Sequence, residues 1–349
     1  MRIDLAGWTR EATQAPPREF FALFERAEAL GFDGVWFSEF RVPDAGWPYP
    51  SPLLLASALL ARTERLRVGT SVLVLPLHHP LMLAEEIAQV DYQSQGRIDV
   101  GVGRGTDPAS LQALEIDPAA TRQRFETSCR LIRASLRGEV VASNEGPWRF
   151  APRQPVATPA PRTPVPMYVA GSTHETLGFA LAEDLPLLLS LEPCETAQLQ
   201  RLEHVAQECG QATSSVRARS SLARYVCIGA TDADVQAQLD ALWGQLYQRR
   251  VHFAGKRGVA PGDVPPIQIE QVLHEQFIYG TPDACHAQLK ALTDRMGIEQ
   301  IRCVFNANGL WSNVQALAGM ELFAREVMPA LRRLTPPCAA SAEAPAPKP

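Results

Sequence analysis

Residues 66–105 read LRVGTSVLVLPLHHPLMLAEEIAQVDYQSQGRIDVGVGRG. The first nine are rich in β-branched and apolar side chains. Pro80 then opens a run in which Leu83, Ile87 and Val90 recur at helical spacing, and residues 97–103 return to a strand pattern. Strand, helix and strand in that order make a βαβ unit. Ligands collect beyond the carboxyl ends of its parallel strands, here residues 71–76 and Gly103-Arg104-Gly105.

The same alternation runs outward in both directions. Strands are expected at 2–7, 34–38, 66–74, 98–103, 166–171, 186–190, 222–228 and 300–305, with helices clearest at 17–30, 117–137, 281–296 and 313–333. Asp117 caps the second of these helices and Pro118 takes its first position; Thr281-Pro282 opens the third in the same way. Eight strands alternating with helices predict an α/β fold of the closed (β/α)8 TIM-barrel type. An open sheet would show a nucleotide fingerprint, and neither GxGxxG nor GxxxxGK[ST] occurs.

Two insertions interrupt the rhythm. Residues 138–165 hold Trp148 followed by Pro152, Pro155, Pro159, Pro161 and Pro164, which predicts a short hairpin and an extended connection. Residues 250–275 hold Gly255, Gly258, Gly262 and Pro265-Pro266, an irregular excursion that acts either as a lid at the ligand face or as an ordinary surface loop. The expected organisation is one barrel domain over 1–334 and a disordered Ala/Pro-rich tail over 335–349.

Composition excludes several classes of function. A chain of 349 residues with 46% apolar content supports a large barrel core, and a net charge of −5 with scattered basic residues argues against nucleic acid. No apolar run reaches membrane-span length, and residues 1–5 read as a first strand, so a cytoplasmic protein is expected. The seven cysteines lack CxxC spacing, which argues against a disulfide framework or zinc site; Cys129, Cys227 and Cys303 read as core. Small-molecule ligands remain. Gly171-Ser172-Thr173 follows a strand and opens a helix, where backbone N–H groups and the helix dipole favour an anion.

Several segments together resemble the bacterial luciferase-like flavin-dependent monooxygenases. They are ALGFDGVWFSEF at 29–40, the opening stretch, PMYVAGSTHET at 166–176, GTPDACHAQL at 280–289 and MELFAREVMPAL at 320–331. The resemblance implies reduced FMN as bound cosubstrate, O2 as oxidant, oxygen transfer through a flavin C4a-peroxide, a separate flavin reductase and a homodimer packed through residues 52–62 and 80–95. It implies that Ser172, Thr173 and Thr176 hold the FMN phosphate with Arg104 and Arg122, whose guanidinium forks suit phosphate oxygens. It also implies a cis peptide at Ser71-Val72 beneath the flavin ring, with Trp8 and Leu191 as apolar walls.

One departure concerns the chemistry. Luciferase-type relatives carry Glu-His-His where this chain has Glu39, Phe40 and Arg41, and Phe40 transfers no proton. His79 is the remaining imidazole candidate for acid–base work, or else it only caps the following helix. Arg41 is a candidate for holding an anionic substrate group, and Glu39 for orienting it. Two alternatives stay open: hydride transfer with a deazaflavin (F420), and a noncatalytic subunit, against which Arg104 counts.

Overall fold

Successive positions along most strands are buried on both sides, so both faces of the sheet are covered. A parallel barrel inside a ring of helices supplies this cover. The structure, a computed structural model, describes residues 1–42, 46–105, 107–144, 146–156, 164–255 and 258–333. The expected tail at 335–349 lies outside them.

The strands are β1 (Arg2–Leu5), β2 (Gly34–Phe37), β3 (Arg67–Val74), β4 (Ile98–Gly103), β5 (Val141–Ser143), β6 (Phe150–Arg153), β7 (Met167–Ala170), β8 (Leu188–Leu189), β9 (Ser221–Ile228), β10 (Phe277–Gly280) and β11 (Gln300–Val304). The expected barrel is present. In the nine-stranded sheet β1, β2, β3, β4 and β7 pair in turn, and β9 pairs β8 and β11. β11 returns to β1, all pairs being parallel, and a single Val169–Leu187 bridge joins β7 to β8, leaving the barrel nearly closed.

The helices are α1 (Pro17–Leu30), α2 (Pro52–Leu60), α3 (Pro80–Ser94), α4 (Pro108–Ala113), α5 (Thr121–Leu136), α6 (His174–Ala182), α7 (Glu195–Cys209), α8 (Ser214–Arg219), α9 (Asp232–Gly255), α10 (Ile269–Gln276), α11 (Pro282–Met296), α12 (Asn313–Glu326) and α13 (Met328–Arg333). Asp117 does cap, its carboxylate accepting from the Ala119 amide at 2.9 Å, but the first turn is a 3-10 turn and α5 proper starts at Thr121.

The structure differs from the sequence expectation in three places. Residues 250–275 are not irregular throughout: α9 runs on to Gly255 and α10 occupies Ile269–Gln276. The short strand β10, paired with Tyr225–Ile228 of β9, was missed; four residues between a helix and Thr281-Pro282 leave no alternation to read. The closing helix breaks at Val327, two residues before Pro329, whose ring cannot continue the hydrogen-bond ladder. The expected hairpin is present as antiparallel β5–β6.

Side chains alternate along each strand between two layers. Ile3, Leu5, Val35, Phe37, Ile301 and Cys303 join the helices in one continuous apolar cluster. The residues between them point into the barrel, and the lower barrel is polar. Asp4 and Asp99 are both 0% exposed. Arg2 spans them at 2.9 and 2.6 Å, Arg67 meets Asp99 at 2.8 Å, and Asp4 also accepts from the Trp36 indole at 2.6 Å and Gln300 at 2.7 Å. Gly69 leaves room for this indole, since a Cβ there would come within 2.3 Å of the ring. Burial opposes ionisation of Asp99, but Arg2 and Arg67 outweigh it and hold its pKa below the ordinary carboxylate range.

A carboxylate with a depressed native pKa stabilises the fold above its unfolded pKa, and that contribution is lost as pH falls through the native value. Stability measured by urea unfolding should therefore fall as pH drops below about 3.9, the free carboxylate value. Asp99→Ala should lower stability at pH 7 by about 3 kcal/mol, because it takes the carboxylate from Arg67 and leaves Arg2 with Asp4 alone. The same variant should show a shallower decline in acid.

Candidate active site

Above the floor, the ends of β3 and β4 approach closely enough to exclude side chains. A Cβ on Gly103 would come 2.7 Å from Val72, and one on Gly105, whose φ is +65°, would come 2.3 Å from Val74. This close fit accounts for the alternate glycines of GVGRG. The Ser71–Val72 peptide beside them is cis, as the resemblance implied. It is held from two sides. The Ser38 hydroxyl donates to the Ser71 carbonyl at 2.7 Å, and the Glu39 amide donates to the Val72 carbonyl at 3.3 Å.

From the barrel interior, Arg302 donates to the Ser71 hydroxyl at 3.1 Å and to the Leu189 carbonyl at 2.6 Å. It is only 4% exposed. Burial pulls its pKa down to about 10, with Asp4 and Tyr168 acting the other way, so the guanidinium stays charged at neutral pH. Sequence reasoning missed Arg302 because nothing local sets it apart in β11.

The second group lies where β7 leads into α6. Thr173 caps α6, its hydroxyl oxygen 3.4 Å from the Thr176 amide and 3.0 Å from the Thr176 hydroxyl. Arg122 reaches across from α5 and donates to Thr176 at 3.1 Å and Thr173 at 3.2 Å. Its charge also meets Glu126 at 3.7 Å and the exposed Glu175 at 3.6 Å. The pairing of Gly103 with Ala170 brings Arg104 alongside Gly171-Ser172, and Ser172 is exposed. Among the described residues the half-buried Arg104 guanidinium has no hydrogen bond or ion pair. A helix N-terminus, two hydroxyls and two arginines, one of them uncommitted, fit the phosphate of an FMN.

The residues expected to carry chemistry are placed differently from one another. Glu39 is buried, its carboxylate 2.9 and 3.0 Å from His78 Nε2, 2.7 Å from Arg41 Nε and 2.7 Å from the Val74 amide. Burial opposes its charge, yet the His78 and Arg41 contacts win and its pKa is lowered. Glu39 is therefore an anionic anchor joining β2 to β3. Arg41 gives Nε to Glu39 and one Nη to the Ser51 hydroxyl at 3.1 Å.

His79 caps α3, its Nδ1 accepting from the Leu81 amide at 3.3 Å, while its ring packs edge-on against Trp148 at 4.8 Å. Burial lowers its pKa, which favours the neutral ring. The histidine that turns toward Glu39 is its neighbour His78, which sequence reasoning passed over. The doublet was a usable signal: only one of two adjacent histidines caps a helix, and the other points elsewhere.

A cavity of about 860 Å³ opens at the carboxyl ends of β1, β2 and β11 beneath α9, with Ser38, Phe40, Arg10, Arg249 and Phe253 in its walls. Phe40 faces this cavity. Leu191 packs in the interior cluster with Val72, whereas Trp8 belongs to the helix-facing layer, its indole bonded to Asn313 at 3.0 Å. A second cavity of about 860 Å³ lies at the opposite end of the barrel between Arg2, Pro166 and Glu299, away from these groups. Among the described residues no cluster of three His, Cys, Asp or Glu is placed to hold a metal, and no helix is long and apolar enough to cross a membrane.

Replacing Thr173 with Val removes the α6 cap and an Arg122 acceptor together. Thermal unfolding should show a loss of about 1 kcal/mol, the usual worth of such a cap.

Comparison with known proteins agrees with this geometry. The family model described as luciferase-like monooxygenase matches residues 3–300. The alkanal monooxygenase alpha chain of Photorhabdus luminescens is 27% identical over 338 residues, covering 88% of this chain and 89% of that protein. The oxygenating constituent of 3,6-diketocamphane monooxygenase from Pseudomonas putida, solved with FMN, superimposes with a TM-score of 0.71 at 18% identity, covering 94% of this chain and 98% of that one. An F420-dependent secondary alcohol dehydrogenase reaches the same TM-score of 0.71 at 15% identity, covering 95% and 99%, so likeness of fold does not choose the cofactor. A family match over most of the chain decides the kinship: this protein belongs to the luciferase-like monooxygenases.

Proposed function

We propose that this chain is the oxygenating half of a two-component system. Reduced FMN, delivered by a separate flavin reductase, binds with its phosphate at Arg104, Arg122, Ser172, Thr173 and Thr176 and its ring against Ser71-Val72. One atom of O2 then passes to a small organic substrate. The observation that carries this reading is Arg122 bonded to both hydroxyls at the start of α6, with the uncommitted Arg104 alongside. Glu175, 3.6 Å from Arg122 and mostly exposed, is the carboxylate that an incoming phosphate displaces.

When bound, reduced FMN supplies the activation of oxygen. The protein's own share is positioning and exclusion of water. Ser38, Glu39 and Arg302 fix the Ser71-Val72 peptide, and α9 roofs the adjoining cavity. Proton transfer by an imidazole at residue 40 is unavailable to Phe40. His79 is committed to its cap and His78 to Glu39, and the only histidine in the cavity wall among the described residues is the exposed His252. Oxygen insertions that need no base at residue 40 suit this arrangement, whether hydroxylation, N-oxidation or Baeyer–Villiger-type insertion.

A homodimer belongs to the same reading. Leu54 on α2 and Met82 and Tyr92 on α3 are 74%, 62% and 67% exposed, an apolar surface that a second copy of the chain would cover.

Binding of FMN, riboflavin and F420 tests the cofactor assignment. Arg104→Met and Arg122→Met should each weaken FMN by about tenfold or more while leaving riboflavin, which lacks the phosphate, within about twofold. Equal losses for both flavins would reject the phosphate site. Tight binding of F420 alone, without oxygen consumption in its reduced form, would reject the monooxygenase reading.

A further inference from the structure

The cavity beside Ser38 holds two cations whose role in the fold is slight. Arg10 follows β1 in a positive-φ conformation of +48°, and its guanidinium lies between the rings of Phe40, at 4.6 Å, and Phe253, at 4.7 Å. Among the described residues this side chain makes no hydrogen bond and no ion pair. Arg249 of α9 enters the same cavity and uses one donor on the Ala307 carbonyl at 3.1 Å. Burial and the nearby Arg249 both lower the Arg10 pKa, with the exposed Glu11 and Asp107 opposing. Glu11 and Asp240 also line the cavity, yet neither is bonded to either arginine.

Two half-buried guanidiniums facing one space, with most of their N–H donors unspent, are an unsatisfied arrangement. Cation–π contact with the two rings holds the Arg10 guanidinium at the cavity without spending its N–H donors. Phe40, Phe253, Leu310 and Ala241 give the cavity an apolar strip, beside the polar Thr9, Gln245, Gln248, His252 and Asn308.

We infer that this cavity binds a substrate with an apolar body and a carboxylate head, the head bridged by Arg10 and Arg249. The inference rests on the monooxygenase reading for the word substrate. Phe40 then has a task where relatives carry histidine: it is the platform on which Arg10 is held. Ser38 lines the cavity and bonds the Ser71 carbonyl, so the apolar body lies next to the cis peptide.

Calorimetric titration of phenylacetate, 4-phenylbutyrate and their amides, with FMN binding measured alongside, tests this on the full chain. The carboxylates should bind about tenfold or more tightly than the matching amides. That ratio should collapse toward one in Arg10→Met and in Arg249→Met, whereas FMN affinity stays within about twofold of the parent. Arg249→Lys, which keeps the charge and loses the fork, should fall between and serves where a Met variant does not fold. Equal affinity for acid and amide, an acid preference untouched by either substitution, or no binding of any probe up to about 10 mM each overturns the inference. Carboxylate binding without FMN binding would instead reject the cofactor assignment and leave the cavity assignment standing.

Discussion

Two carboxylates without access to water, Asp4 and Asp99, set the terms for everything above them in the barrel. Burying an ionised group unpaired is prohibitive, so each must be met by cations and donors from other strands. Arg2, Arg67, Trp36 and Gln300 do this, which ties β1, β2, β3, β4 and β11 together at one level. Most barrels of this type fill that level with branched apolar side chains. Here it is a charged plate, and the strands cannot slide past one another without stranding a charge.

The plate extends upward through Arg302. Its guanidinium has no carboxylate in contact, yet it remains protonated within reach of the field of Asp4. It spends its donors on Ser71, Leu189 and Ser221, and so carries the order of the floor to the Ser71-Val72 peptide. On the other side the same peptide is tied to β2 through Ser38 and Glu39. Glu39 is in turn neutralised by His78 and Arg41. These polar groups are satisfied by residues from neighbouring strands, whereas Arg104 beside α6 and Arg10 beneath α9 make no side-chain hydrogen bond or ion pair among the described residues.

Much of this was legible in the chain. The strand and helix boundaries, the caps at Asp117 and Thr173 and the convergence of Arg122 on Thr173 and Thr176 follow from short patterns and from likeness to a family. What escaped was of two kinds. β10 is too short for alternation to register, and α9 and α10 occupy both ends of the stretch read as irregular. The assignment of the polar groups was harder. Glu39 does hold Arg41, as expected, and Ser51 holds it too, whereas Arg10, which no motif marks, has no side-chain hydrogen bond or ion pair among the described residues. His79 drew attention as the imidazole beside the site, whereas it is His78 that turns inward.

The amino-acid order by itself determined the alternation of strands and helices, and with it the barrel, because hydrophobic period, caps and turn residues act between near neighbours in the chain. It also set a strand, a glycine and two threonines in close order at the head of α6, the pattern on which the proposed phosphate site rests. Only the tertiary structure decided which charges are paired and which are free. Ion pairing in a barrel joins residues distant in sequence, such as Arg2 with Asp99 or Arg10 with Phe253, and the energy of a buried charge depends on which partners arrive there rather than on its neighbours along the chain.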